Sequence, residues 1–317
     1  MKTCGLLPIA LILLILCPAS VLAQQRPPTG AGRLPIIDMH LHAVWWQAYA
    51  DMAEPLTGLR APATSEALRE ATLAALKSYN IVKAVTSGSH VDEYQTVAPD
   101  RIIAGLAVGA AFPAPVVTSI GSLRALLAAK QYGAIAEFAP QYDGLTPGDK
   151  RLEPYFAVAE EQDIPIGIHM GLGPPGAAYV GLPKYRMALS NPLLLEEVLV
   201  RHPKLRIYVM HAGWPMLDQM VGLLYSHPQV YIDIAVINWV LPRAEFHAYL
   251  QRLVQAGFAD RIMFGSDQMM WPEAFGRAIE AVESADFLTA QQKRDIFYNN
   301  AARFLKLTPE QITAHHR

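Results

Sequence analysis

Ile36-Ile37-Asp38-Met39-His40-Leu41-His42 decides how the rest of the chain is read. Its apolar, partly β-branched residues make it a strand. Side chains alternate along a strand, so Asp38, His40 and His42 are expected on one face. From Pro35 onward, short apolar runs alternate with longer segments of helical period. Strands are expected at 36–42, 81–86, 102–108, 134–138, 165–170, 206–211, 230–235 and 261–265. Helices are expected near 64–79, 91–97, 117–131, 150–163, 191–201, 215–226, 242–256 and 272–284. Asn191-Pro192 gives one of them an N-cap followed by Pro at the first helical position. A further helix, 289–306, opens with the capping box Thr289-x-x-Gln292. Eight βα units in roughly 250 residues predict an α/β fold, a (β/α)8 TIM barrel. A doubly wound open sheet would share the alternation. The barrel is assigned to 35–307 as a single domain with an extra C-terminal helix, leaving 308–317 as a tail.

The 317 residues are 52% hydrophobic and 17% charged, which excludes disorder for the bulk of the chain. A formal charge of −2, with no basic run longer than two residues, excludes a nucleic-acid partner as first reading. The start of the chain reads as a leader. Lys2 precedes an apolar stretch from Leu6 to Leu16, and Val21 and Ala23 fit a signal-peptidase site before Gln24. The apolar run is shorter than the ~18–20 residues of a membrane anchor. Leu16 is bulky for lipid attachment at Cys17, the alternative fate of such a segment. Residues 24–34 read as a flexible lead-in. Both cysteines, Cys4 and Cys17, lie in the leader. The exported chain is thus expected to lack disulfides, a thiolate nucleophile and thiolate metal ligands. With no Asn-x-Ser/Thr sequon present, a bacterial periplasmic or secreted location is expected, without membrane attachment after cleavage. A homo-oligomer is compatible with the sequence.

In such a barrel chemistry sits at the C-terminal ends of the strands. His169 ends Ile166-Gly-Ile-His, His211 ends Tyr208-Val-Met-His, and Asp267 ends Phe264-Gly-Ser-Asp. An HxH pair alone is a weak signal, and a lone His ending a buried strand is usually a satisfied core residue. Three such endings in register with His40 and His42 point to one metal site. Glu137 lies inside the apolar run Ala134-Ile-Ala-Glu-Phe, where a carboxylate is costly unless paired or bound to a cation. A metal ligand, a bridge between two ions, a hydrogen bond to a ligating His and a structural salt bridge all remain open for it. All five tryptophans fall just after strands 1, 6, 7 and 8. Trp45, Trp214 and Trp271 are therefore candidates to line an apolar substrate pocket, with loop packing as the bland alternative. Lys184, Tyr185 and Arg186, in the loop after strand 5, are candidates to grip a substrate carboxylate, Arg186 foremost. His202 and His227 each close a helix on the opposite rim, where a cation suits the helix dipole. His90, after strand 2, is the remaining His with a path to the site.

Gly171-Leu-Gly-Pro-Pro-Gly176 matches G-x-G-x-x-G only formally, because Gly181 and Pro183 break the helix that a dinucleotide site requires. No nucleophile elbow or Walker A sequence is present.

IIDMHLH at 36–42, GIHMG at 167–171, VMHAGWP at 209–215 and RIMFGSD at 261–267 together resemble the amidohydrolase superfamily. The resemblance covers about residues 35–307. It is closest to the amidohydrolase 2 group, which includes aminocarboxymuconate-semialdehyde decarboxylase and related metal-dependent hydrolases. The resemblance implies His40, His42, His169 and Asp267 as metal ligands, with Asp267 also the proton acceptor. His211 is implied as a second-ion ligand or as a base and carbonyl polariser. The carboxylated lysine of many members is absent and Glu137 stands on strand 4 instead, so one or two ions fit.

The expected cofactor is a divalent metal, with zinc the first choice. Such an ion lowers the pKa of its water from 15.7 toward ~7. With His211 steadying the developing oxyanion, the expected reaction is hydrolysis of an ester, lactone or amide-type bond in a small molecule. The alternative is decarboxylation of an unsaturated or aromatic acid. A non-catalytic binding protein would not be expected to keep the complete His and Asp set.

Overall fold

The computed structural model describes residues 32–108, 119–179 and 181–317. The leader, its cleavage site, both cysteines and most of the lead-in lie outside these residues. Eight strands run parallel in strict chain order, β1 Ile36–His42, β2 Ile81–Ser87, β3 Ile102–Val108, β4 Ala134–Phe138, β5 Ile166–His169, β6 Ile207–Met210, β7 Val230–Asp233 and β8 Ile262–Met263. The sheet curls until its edges meet. Met39 N donates to Phe264 O at 2.9 Å, Asp267 N to His40 O at 2.7 Å and His42 N to Gln268 O at 3.1 Å. The predicted TIM barrel is the observed fold, and the open-sheet alternative is excluded.

The chain stops β8 after two residues because the seam is continued by single backbone bonds from 264–268 rather than by a regular ladder. Helices cross between the strands at the expected places, among them Ser65–Ser78, Ile120–Ala128, Arg243–Gln255 and Ala274–Glu283. The local signals act as read. Asn191 accepts from Leu193 N ahead of Pro192, and Thr289 and Gln292 form a reciprocal capping box. Residues 309–315, assigned from sequence to a tail, instead form a helix, because Thr308 and Gln311 make a second capping box with Pro309 at the first turn. Among the described residues, no helix is long and apolar enough to cross a membrane.

Two apolar clusters hold the barrel. The larger lies between the strands and the surrounding helices. The smaller joins Ile37, Met39, Val85, Tyr208, Met210 and Met263 to Tyr298, Ala301 and Phe304 of the closing helix. Phe304 lies edge-on to Tyr208, with ring centroids 5.6 Å apart. Arg206, just ahead of β6, donates to Phe304 O, and Arg303, on the closing helix itself, donates to Asp260 O ahead of β8, so the helix is tied down from both sides. The N-terminal end of the barrel is thus floored. Gly167 marks how tightly the interior is filled, since a Cβ there would stand 2.4 Å from the Tyr208 ring.

Candidate metal centre

At the other end of the same strands the apolar filling stops. His40, His42, Glu137, His169, His211 and Asp267 are all at most 6% exposed, and they meet at the C-terminal mouth. The simple alternation expected for β1 does not hold throughout, because its pairing with β2 shifts register between Asp38 and Leu41. Asp38 leaves the imidazole cluster and binds the seam, where its Oδ1 accepts from His40 N and Ser266 N, each at 2.9 Å.

The six side chains form two groups. In the first, the Nε2 atoms of His40 and His42 face each other at 3.1 Å. Asp267 Oδ1 lies 3.0 Å from His42 Nε2 and 3.6 Å from His40 Nε2. Glu137 Oε2 lies 3.4 Å and 3.7 Å from the same two nitrogens. In the second, Glu137 Oε1 is in close contact with His169 Nδ1, and His211 Nε2 lies 3.3 Å from that nitrogen. His40, His42 and Asp267 have donor atoms close enough to share one cation, and so do Glu137, His169 and His211. His169 therefore belongs with Glu137 and His211, not with the strand-1 pair as the sequence suggested. Glu137 offers one oxygen to each group, and its partners there are imidazoles.

The far nitrogens of these rings are occupied, which fixes the near ones. His40 Nδ1 lies 3.2 Å from Asp233 Oδ2, and His42 Nδ1 lies 3.2 Å from Ser87 Oγ. His169 Nε2–H donates to Leu172 O at 2.7 Å, and His211 Nδ1–H donates to Ala235 O at 3.1 Å. Partners of this kind hold a ring with its other lone pair turned toward a cation. A neutral His211 so bonded has no proton on Nε2 to offer a developing oxyanion, which makes it an acceptor or ligand instead.

Backbone geometry serves the same end. His211 (φ 58°), Val236 (φ 56°) and Asp267 (φ 50°) sit in the left-handed region just past β6, β7 and β8. For a β-branched valine this is a true outlier, and such strain gathers at functional sites. Gly171 turns the chain just after His169, with φ 101° and no room for a Cβ beside Trp214 O.

The electrostatics ask for a positive charge. Burial raises a carboxyl's pKa, yet His169 and the strand-1 imidazoles hold Glu137 well below the usual range. Burial likewise opposes ionisation of Asp267, and His40 and His42 outweigh it. Burial opposes protonation of His40, but Asp267 and Asp233 push it well above the usual value. His211 falls to about 4, through burial and the neighbouring His169. Protons on His40 and His42 supply charge that a cation would replace. A buried set of imidazole nitrogens and carboxylate oxygens without sulfur suits zinc, manganese or a similar divalent ion. The residues fit such a group.

The candidate substrate residues separate. Trp271 is buried, 6.5 Å from Trp239, whose indole donates to Ser266 O at 2.6 Å. Trp45 is half-buried against the core. Trp214 donates from its indole to Glu245 at 3.1 Å. Arg186 is exposed and donates to Pro183 O and Tyr185 O, so its contacts stay within its own loop. His90 pairs with Glu93 at 2.8 Å. Three residues go beyond the sequence reading. Asp233 closes the apolar run Val230-Tyr-Ile-Asp, the same signal that flagged His169, His211 and Asp267. Ser87 carries no signal of its own. Tyr142 sets its ring edge-on to His169 at 5.1 Å and stacks on Tyr185 at 5.2 Å. Burial and the charge of Glu137 keep the Tyr142 phenol protonated.

The chain is similar to several known proteins. A probable 2-pyrone-4,6-dicarboxylic acid hydrolase from Acinetobacter baumannii, with citric acid bound, superposes with a TM-score of 0.59. It is 15% identical, over 86% of this chain and 100% of its own. A dihydroxybenzoic acid decarboxylase from Polaromonas sp. JS666, with bound manganese and the inhibitor 2-nitroresorcinol, gives a TM-score of 0.58. It is 12% identical, over 88% of this chain and 99% of its own. Identities this low show the shared barrel alone. Protein fluG of Emericella nidulans is 22% identical over 165 residues, 47% of this chain and only 18% of its own length. The profile described as Amidohydrolase, that of the amidohydrolase-2 group, matches residues 37–307. On that match over most of its length the chain belongs to the amidohydrolase family, enzymes that work with a divalent metal.

Proposed function

We propose that the protein is a metal-dependent hydrolase that cleaves an ester, lactone or amide-type bond in a small organic molecule. The observation that carries this reading is Glu137, one oxygen facing His40 and His42 and the other facing His169. His40, His42, Asp267 and Glu137 would hold one ion, and Glu137, His169 and His211 a second. When bound, divalent ions here lower the pKa of a water and polarise the substrate carbonyl. Asp267 supplies the base. It is held ionised by its histidine neighbours, and its Oδ2 is the oxygen turned away from the strand-1 pair, 3.9 Å from His211 Nδ1. Asp233 and Ser87 keep His40 and His42 oriented. Tyr142, Trp271 and Trp45 line the approach from the loops. Zinc is the first choice of ion and manganese the second. The leader supports work outside the cytoplasm.

The rival reaction is decarboxylation of an aromatic acid by the same side chains, which the stacked Tyr142–Tyr185 pair beside His169 favours as a seat for a flat ring. Elemental analysis of the purified protein should give two ions per chain, falling to one or fewer in Glu137→Gln. Aryl esters and lactones should be hydrolysed, and chelation should stop turnover until zinc or manganese is restored. Release of CO2 from hydroxybenzoates with no hydrolysis would replace the first reading by the second.

A further inference from the structure

Several buried polar atoms without hydrogen-bond partners among the described residues lie in the segments that follow the strands at the catalytic mouth; others belong to Arg33, Asp38 and Arg294. Gln141 is the extreme case. It is 1% exposed, and both its Oε1 and its Nε2 are unpartnered. It stands four residues past Glu137, in the 3-10 turn Pro140–Asp143, next to Tyr142 with its ring on His169. That turn packs against the turn Met187–Ser190 in the loop after β5. There Ser190 Oγ is also fully buried and unpartnered. Across the mouth, Asn238 Oδ1 and Trp271 Nε1 share the same condition. Buried amides and hydroxyls are almost always paired, because an unpaired one forfeits its hydration for nothing. A site built to hydrogen-bond a substrate shows this pattern before the substrate arrives.

These four groups are all uncharged. None could neutralise a carboxylate, and Arg186, the cation expected to do so, donates to carbonyls of its own loop. We propose that Gln141 is a specificity-determining residue that pairs with an uncharged polar group of the substrate, an amide or hydroxyl, with Ser190 in the neighbouring turn. A glutamine side chain offers one acceptor and two donors, so it matches a group that both gives and takes a hydrogen bond. The inference rests on the reading of this mouth as the substrate site, and it narrows the substrate to one carrying a neutral polar group there.

Benzamide and benzoate, isosteric probes that differ in charge and in donor capacity, test it by ligand-observed NMR on the purified full chain with its metal. Gln141→Leu should weaken benzamide binding at least tenfold and change benzoate binding less than twofold. The variant should also melt at a higher temperature, since leucine removes an unpaired buried amide. Gln141→Met serves if the leucine variant does not fold. Unchanged benzamide affinity, equal losses for both probes, or no benzamide binding by the wild type would overturn the proposal. Metal content, measured on the same samples, should match wild type. A variant that keeps its metal but not its preference separates this inference from the reading of the metal centre.

Discussion

The two ends of one barrel use the same eight strands for opposite purposes. At the N-terminal end Ile37, Met39, Tyr208 and Met263 meet Tyr298 and Phe304 mainly through apolar contacts, and the buried Tyr208 OH donates to Met39 O at 2.8 Å. At the C-terminal end, a few residues further along, four imidazoles and two carboxylates replace them. The floor gains from burial, at about 25 cal/mol per Å² of apolar surface removed from water. The mouth instead buries charge that only a cation and an outer ring of hydrogen bonds can make tolerable. Stability and chemistry are therefore separable along the strand axis, and variants should show it.

The sharpest break is expected at the mouth. His40→Ala or Asp267→Ala should lower turnover by about three orders of magnitude or more, since removing a ligand removes the activated water. Bound metal by elemental analysis should fall with it, while the circular dichroism spectrum stays native. Full activity in either variant would contradict the assignment. At the floor the outcome inverts. Phe304→Ala should cost about 3–5 kcal/mol of stability in chemical denaturation, with metal content unaltered. Asp233→Asn should act more gently on the mouth, lowering metal affinity roughly 10–100-fold by loosening His40.

Acid should weaken metal uptake. His40 and His42 are raised in the metal-free protein, so an ion held by this pair must displace protons, and its affinity falls as pH drops through those raised values. In the metal-free protein the same shifts run the other way. Their stabilisation is fully present below the ordinary His value and is lost as pH rises through the raised one. Calorimetry in two buffers of different ionisation enthalpy would count the protons released. None released would remove the charge argument. The smallest effect is expected at the end of the chain, where Thr308→Ala should cost about 1 kcal/mol through loss of its cap.

Much of this was legible in the residues. β1, β3 and β4 lie where the apolar runs place them, and His40, His42, His169, His211 and Asp267 all reach the mouth because strand endings in a barrel share a rim. What escaped depends on neighbours distant in sequence. Asp233 matters to His40 because its carboxylate reaches across from β7, 193 residues away. His169 joins Glu137 rather than the strand-1 pair because β4 and β5 are adjacent in the sheet. The tail helix carried the same Thr-x-x-Gln signal as the helix before it, and its shortness hid it.

The barrel's floor is laid last. β1 is sealed by bonds from residues 264–268, and the apolar end beneath it is covered only by side chains from 298 onward. A nascent chain that stops short of Gln268 therefore has no closed wall, and one that stops short of Tyr298 has no base, so folding must wait for the closing turns of synthesis. Truncation ahead of Tyr298 should leave an open cup that aggregates, whereas trimming after Leu307 should leave the vessel whole.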